Sequence, residues 1–572
     1  MGTTSIAVEG PPDQGRLLTY YLAATRQRFK AEVNRLTSGG MAKLLQDQPD
    51  VSDLSFLMSY LYIFHWLNHN VPVSYRALVL KTFRSPSRRF LMDLLEFSAD
   101  GEAFVTGYIR HWQKAPAAGA PVQRDQLMAL LRSSDNDPAM LAARLLTLWD
   151  SLHLFTRSYA VAYKDLAQQE RERYDDMLAA EDRERLELVD ALPDQEQGKP
   201  RFEKLGLIPA MGCPQTCRHC MFIFRPLMKD KREPDELYNM VNELTESVLF
   251  TGGDLTRQLD SFYQAIGSMK NVRTFAILLN GDFANNRAET RQVLESMARA
   301  VRRRPAGWPR ARVMLQISFD EFHQEVIVDK HGKLKERIPV SKIANIVEAA
   351  PRYPHEIQLC LLHKQHALNF SMDLFSKGVF ARLANELAER GHQIQILSTA
   401  PSGRLKRNPL NPDQPAPILK DASFVLTRFP HAPIMLTSST IDAYGRASMM
   451  DESETVKEKD LLQQVLNGEE TGEQFDTDLM FWFNGWATLF SAVHMCLGNV
   501  FEEGMDRVLA RQRKDPLSHA MRHFDLRLLD YYREIRDDLD ERIAGATGPH
   551  QLFHSITEEG AIRLHMTRRL LD

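Results

Sequence analysis

The sequence predicts an α/β fold: six strands alternating with helices, a helical region before them and a mostly helical one after. Two observations predict it. Between residues 203 and 405, short apolar runs alternate with amphipathic segments, which calls for a parallel sheet or an α/β barrel. Within several of those runs, apolar and polar residues also alternate, so only one face of each strand is greasy.

Residues 1–200 form the first expected domain and read as helix. "DVSDLSFLMSYLYIFHWLNHN" offers Asp50 or Ser52 as an N-cap and then apolar residues at helical spacing. The stretch from "DPAMLAARLLTLWDSLHLF" to "RLELVDAL" continues helical for many turns, and "KAPAAGAPVQ" interrupts the region. "PDQEQGKPR" at 193–201 reads as a linker.

Residues 201–405 form the second. Its strand candidates are "KLGLIPAMG", "ESVLFTGGD", "RTFAILLNGD", "RVMLQISFDEFH", "EIQLCLLHK" and "QIQILSTAPSG", separated by helices such as "EPDELYNMVNEL" and "TRQVLESMARAVRRR". Parallel strands buried on both faces are apolar almost throughout. Here Val313, Leu315 and Ile317 oppose Gln316, Ser318 and Asp320, and Ile357, Leu359 and Leu361 oppose Glu356, Gln358 and Cys360. The apolar face needs the helices. The polar face needs water or a ligand, so the strands predict a barrel whose lumen is a binding cavity. Residues 406–572 form the third domain. "HAPIMLTSSTIDAYGRASMMDE" reads as strand, turn, strand, and the remainder is mostly helical.

Composition narrows the classes. Apolar content of 44% and charged content of 26% are those of a globular protein. A net charge of −4 supplies no global positive field for nucleic acid. No run of 18 apolar residues occurs, so no membrane partner is expected. The N-terminus lacks a secretory pattern, and "MGTTSI" matches the myristoylation signal without a basic patch behind it. Five cysteines without repeated spacing predict a reduced, cytoplasmic protein, where clustered cysteines act as metal ligands or catalysts.

Three of the five fall in "CPQTCRHC", at Cys213, Cys217 and Cys220, after the first predicted strand. Thiolates suit zinc or iron–sulfur clusters. Structural zinc needs a fourth ligand. His219 is awkward in that role because it adjoins Cys220. A [4Fe–4S] cluster on three thiolates leaves one iron open.

CxxxCxxC in the loop after the first strand of a six-stranded barrel resembles the radical S-adenosylmethionine (radical SAM) superfamily. The resemblance implies a partial (β/α)6 barrel with one [4Fe–4S] cluster on Cys213, Cys217 and Cys220, S-adenosyl-L-methionine on the open iron, and a flavodoxin or ferredoxin as electron donor. It places Thr251, Gly252, Gly253 and Asp254 of "LFTGGD" at the methionyl amine, with Asp254 where glutamate is commoner. It makes Ser318 and Asp320 of "QISFDEFH" candidates for the ribose. It puts Ser398 near adenine, with Phe222 and His219 as flanking rings. The chemistry implied is reductive cleavage of SAM to methionine and a 5′-deoxyadenosyl radical, which takes hydrogen from an unactivated carbon.

"SSTIDAYGRASMM" and "HMCLGNVFEEGMDRVLA" resemble the SPASM or twitch extension of radical SAM peptide-modifying enzymes. Only Cys496 remains there, so a degenerate extension without an auxiliary cluster is expected. A peptide or natural-product intermediate is the expected substrate, with a small metabolite such as an amino acid or sugar as the alternative. A zinc- or cluster-stabilised scaffold is the non-enzymatic one. Cys360, on the predicted lumen face, is either a small buried hydrophobe or a hydrogen-atom donor of the kind radical SAM epimerases use. His65 and His69 lie four apart on a predicted helix without a third ligand, and "RRRPAGWPRAR" at 302–312 is either a phosphate contact or a solvated helix end. No DxHxxG cobalamin signature occurs, and the N-terminal helices lack the hairpin of a winged-helix peptide-recognition domain.

Overall fold

The computed structural model describes residues 14–35, 177–194, 200–222, 230–329, 331–364, 378–402, 418–441, 444–450 and 457–572, with single positions at 71, 72, 75, 168, 171 and 228. Most of the expected N-terminal domain, including His65 and His69, lies outside them. The chain divides into two compact units, Met1–Lys164 with Val326–Lys335, and Asp165–Glu325 with Glu336–Asp572.

The second unit is a mixed α/β structure on an eleven-stranded sheet. Along the chain, α1 (Gln14–Arg35) and α2 (Ala180–Asp190) precede β1 (Leu205–Ile208), α3 (Pro234–Asn242), β2 (Ser247–Phe250), α4 (Leu259–Ser268), β3 (Thr274–Leu279), α5 (Arg287–Arg302) and β4 (Arg312–Ser318). A hairpin of β5 (Val326–Val328) and β6 (Leu334–Glu336) precedes α6 (Val340–Ala349), β7 (Ile357–Lys364), α7 (Gly378–Glu389), β8 (Ile394–Ser402), β9 (Ile418–Leu426) and β10 (Ile434–Ser439). Then come α8 (Lys459–Leu466), β11 (Leu479–Trp482), β12 (Trp486–Leu489), β13 (Cys496–Asn499), α9 (Met505–Lys514), α10 (Pro516–Arg522), α11 (Arg527–Arg533), α12 (Leu539–Gly545), α13 (Pro549–Ser555) and α14 (Gly560–Leu571).

The strand order is β13-β12-β11-β1-β2-β3-β4-β7-β10-β9-β8. Strands β11, β1, β2, β3, β4, β7 and β10 pair in parallel, and antiparallel strands extend both ends. Amphipathic helices explain the layering. In α5, Asn286 Oδ1 accepts from the N–H groups of Ala288 and Glu289, and Thr290, Leu294, Met297 and Ala298 are buried at helical spacing. Leu294, Met297 and Ala298 join a core with Phe275, Val313, Leu315 and Ile317. On β4 the opposite residues Met314, Gln316 and Ser318 are only half-buried, as the alternation predicts.

Two expectations are corrected. The strand that pairs in parallel with β7 is Ile434–Ser439, not "QIQILSTAPSG". The latter is β8, antiparallel to β9 and last in the sheet. The expected boundary at 405 therefore falls between strands of one sheet. Second, the described residues Tyr444–Met450 are not the returning strand of a hairpin: Gly445–Met449 is a 3-10 turn.

In the first unit, α1 packs against β5, Gln14 Nε2 donates to Leu334 O at 3.0 Å, and the Tyr75 hydroxyl donates to Gly332 O at 3.0 Å. No helix among the described residues is long and apolar enough to cross a membrane.

Candidate functional site

The cysteine loop leaves the C-terminal end of β1. None of Cys213, Cys217 and Cys220 is in a disulfide, so all three are thiols. The Cys220 N–H donates to Cys217 O at 3.3 Å, closing a turn between the last two. The Phe222 N–H points at Cys220 Sγ, 3.5 Å away. Polar side chains hold the loop from outside. Gln215 donates to Asp282 at 3.2 Å, Arg337 to Thr216 at 2.7 Å, and Arg218 and Arg337 converge on Glu325 at 3.1 and 2.9 Å. Burial pushes the Cys217 thiol up to about 12, against an opposing pull from Arg337. Such a thiol stays protonated at neutral pH unless a metal displaces the proton.

The "TGGD" loop packs on this one backbone to backbone. The N–H groups of Thr251, Gly253 and Asp254 donate to the carbonyls of Leu207, Ala210 and Gly212 at 3.0, 2.9 and 2.8 Å. Gly252 has φ +129°, and a Cβ on Gly253 would sit 2.3 Å from the carbonyl oxygens of Met211 and Gly212. The glycines are therefore needed for loop-to-loop approach. Asp254 caps the short 3-10 helix Leu255–Gln258, its Oδ1 accepting from Thr256 N at 3.1 Å and Thr256 Oγ1 at 2.7 Å. That capping role is a local reason for aspartate at this position.

Sequence reasoning missed a third support. The turn after β10 lies against the cysteine loop: Ala447 N–H donates to Cys220 O at 3.2 Å and Arg446 Nε to Phe222 O at 3.1 Å. Gly445 has φ +61°, and a Cβ there would sit 2.2 Å from the Met221 carbonyl. The only signal is the "YGR" string, which reads in sequence as the turn of a hairpin.

At the end of β4, Ser318 is half-buried on the face away from the core, and its carbonyl accepts from Gln324 Nε2 at 3.4 Å. Asp320 is buried and turned inward. Its Oδ1 accepts from the N–H groups of Phe322 and His323 at 3.0 and 2.8 Å, and its Oδ2 lies 2.9 Å from His323 Nδ1 and 3.7 Å from His219 Nε2. Burial would raise this carboxyl, but His323, His219 and the hydrogen bonds from His323 outweigh it and hold it well below the carboxylate range. Burial pushes His219 down to about 3, so its ring is neutral. These contacts occupy Asp320 with its own neighbours rather than with the open face.

Cys360 is buried on β7, its Sγ 3.7 Å from Thr437 Oγ1 on β10. Burial, opposed by the Thr437 hydrogen bond, raises its pKa, so it is a thiol. Phe222 is partly buried against the core. Ser398 is exposed on β8 and bonded to Ser423 Oγ at 2.7 Å, so the structure separates it from the parallel strands where it was expected. Cys496 is buried in β13 at the opposite end of the sheet order from β8. Within 302–312, Arg304 is spent on the carbonyls of Ile266, Met269, Lys270 and Val272, and Arg302 on Glu295 and Glu356. Arg304 is thus neither a solvated helix end nor free for a phosphate.

No protein-family model matches the sequence, and no curated protein matches it. Among solved structures the chain is similar to native anSMEcpe with bound AdoMet, at 12% identity over 55% of this chain and 84% of that one, with a TM-score of 0.30. It is also similar to native anSMEcpe with bound AdoMet and Cp18Cys peptide, at 15% identity over 56% and 84%, TM-score 0.29. A third is Streptococcus suis SuiB bound to precursor peptide SuiA, at 12% identity over 65% and 74%, TM-score 0.28. Overlaps this loose carry no argument about fold or function; the chemistry of the loop residues does.

Proposed function

We propose that this chain is a radical SAM enzyme, with one [4Fe–4S] cluster on Cys213, Cys217 and Cys220, SAM at the open iron, and a peptide or natural-product intermediate as substrate. One observation carries the reading: three thiols share a loop at the end of a parallel strand, and a Gly-Gly loop from the next strand packs on it. Among the described residues, the group that converges tightly enough to share one ion is His219, Asp320 and His323, not the three thiols. Thiols spread along a loop suit a multi-iron cluster better than a single zinc ion.

When bound, the cluster and SAM supply the electron and the carbon-centred radical that abstracts hydrogen. The chain's own residues do the rest. The loop's anchors hold it in place, Phe222 N–H donates toward a ligand sulfur, and Arg337 favours the thiolate form of Cys217. Thr251, Gly252 and Gly253 border the methionyl end, and Ser318 faces the ribose. Cys360, held as a neutral thiol, is the proposed hydrogen-atom donor to a substrate radical. Product formed at full rate by Cys360→Ala removes that role.

The test is anaerobic reconstitution. We expect about four iron and four sulfide per chain, and 5′-deoxyadenosine on reduction with SAM. Zinc without sulfide, and no 5′-deoxyadenosine, would overturn the reading. Substrate dependence on a peptide, rather than on an amino acid or sugar, then separates the two substrate classes.

A further inference from the structure

We propose that His219, Asp320 and His323 form a second metal site, independent of the cysteines, that takes a divalent first-row ion such as zinc. Two imidazoles and one carboxylate are a donor set used by zinc and by ferrous iron, with coordination positions left over for water or a ligand.

The geometry is close to what an ion requires. Asp320 Oδ2 lies 2.9 Å from His323 Nδ1 and 3.7 Å from His219 Nε2, and the three ligand atoms lie within 4.8 Å of one another. A tetrahedral ion with bonds of about 2.1 Å separates its ligand atoms by roughly 3.4 Å. The two shorter edges bracket that value, and the third is no longer than 4.8 Å.

Backbone hydrogen bonds and ring contacts hold the three residues in place. Asp320 Oδ1 accepts two backbone N–H groups, and its own N–H donates to Gln324 Oε1 at 2.9 Å, which turns Oδ2 toward the rings. His219 stacks on Phe322 with centroids 4.6 Å apart and meets His323 edge-on at 4.7 Å. The site is sheltered, with side-chain exposures of 1% for Asp320, 7% for His219 and 17% for His323.

His219 Nε2 faces Asp320 Oδ2 from 3.7 Å, beyond hydrogen-bond reach, so no direct bond between them has to be broken for an ion to enter. An ion there would take the lone pair of Nε2 and leave the proton on Nδ1. Because His219 lies between Cys217 and Cys220, such an ion would tie the cysteine loop to the turn after β4.

Equilibrium dialysis of the full chain against Zn²⁺ tests this, with the three cysteines changed to alanine so that no thiolate competes. One zinc per chain is expected, with affinity lower by about 100-fold or more when His323→Ala is added, since loss even of an outer-sphere partner costs 10–100-fold. In case the triple alanine protein fails to fold, the same measurement is made on cluster-loaded wild type, where one zinc should appear beyond the iron and sulfide and be lost in His323→Ala. No zinc in either folded protein, or zinc held equally well without His323, overturns the site. Iron, sulfide and 5′-deoxyadenosine report on the cysteine cluster separately, so failure here leaves that reading standing.

Discussion

Two buried polar regions of the second unit contrast sharply. Where α2 meets α10 and α14, Arg185 and Asp515 are both wholly buried and 2.9 Å apart, and Arg563 pairs with Asp182. Two cations face two anions. Asp515 also accepts from Ser518 Oγ and from Leu517 N–H, and Arg563 donates to the carbonyls of Thr557 and Glu558. The cysteine loop instead carries three thiols with a neutral imidazole beside them. An orphaned nitrogen does not set it apart, since Arg185 Nε and Nη2 lack hydrogen-bond partners as His219 Nδ1 does. A polar cluster that balances its own charge is an architectural clamp; three thiols spaced along one loop, with no ion pair among themselves, are the chemistry on which the proposed cluster rests.

The largest effect should come from breaking the clamp. Asp515→Ala strands the buried Arg185 and is expected to cost about 3–5 kcal/mol, read by chemical denaturation. Arg185→Met combined with Asp515→Leu should recover most of that. Iron per folded chain after reconstitution should not change. If the folded fraction of Asp515→Ala binds less iron per chain, the two regions are not separable in the way described. Gly445→Ala tests the other side. At a φ of +61° the added methyl would collide with the Met221 carbonyl and force the turn off the loop. A cost of at least about 1–2 kcal/mol is expected, accompanied by lost iron, which the clamp variant should not show.

The same contrast marks what the sequence made legible. The cysteine loop was readable because its three thiols are close together in sequence. Strands β1, β2, β3, β4 and β7 were readable because a half-wet strand alternates in sequence. The strand paired beyond β7 was not. "QIQILS" and "PIMLTSS" both alternate, and no local pattern records that Met435 pairs with Cys360 while Ile396 pairs with Phe424. Ser398 was misplaced with its strand. Gly445 and Arg446 were missed as supports of the loop because they are more than two hundred residues from it in sequence. The partnership of His219 with His323 was missed because it depends on how the turn at Asp320 folds.

A smaller effect separates capping from ligand contact at Asp254. Asp254→Ala should cost about 0.5–2 kcal/mol through loss of the cap, whereas Asp254→Asn, which can still accept from Thr256, should cost much less. If the KM for SAM rises equally in both variants, the carboxylate touches the cofactor. If only the alanine protein changes, and in stability rather than KM, Asp254 is a cap alone.

The smallest expected effect uses acid against the outer edge of the clamp. Asp190, at the end of α2, accepts from Arg511 Nε at 2.9 Å and from Arg507 Nη2 at 2.7 Å. Burial raises its carboxyl, but hydrogen bonds and charge from Arg511 and Arg507 outweigh this, and its pKa is lowered. A carboxyl whose folded pKa is depressed adds stability that is fully present above its unfolded value of about 3.9 and is lost as pH falls through the folded value. The pair is partly exposed, so roughly 1 kcal/mol is at stake. Asp190→Asn should therefore lower stability at pH 7 by about that amount and flatten the stability curve below about pH 4. Asp525 and Asp538 are lowered in the same helical region and should keep some acid dependence in the variant. If Asp190→Asn leaves the curve unchanged at both ends, α2 is held by Arg185, Asp182 and their partners alone, and the charge balance that defines the clamp stops at its buried core.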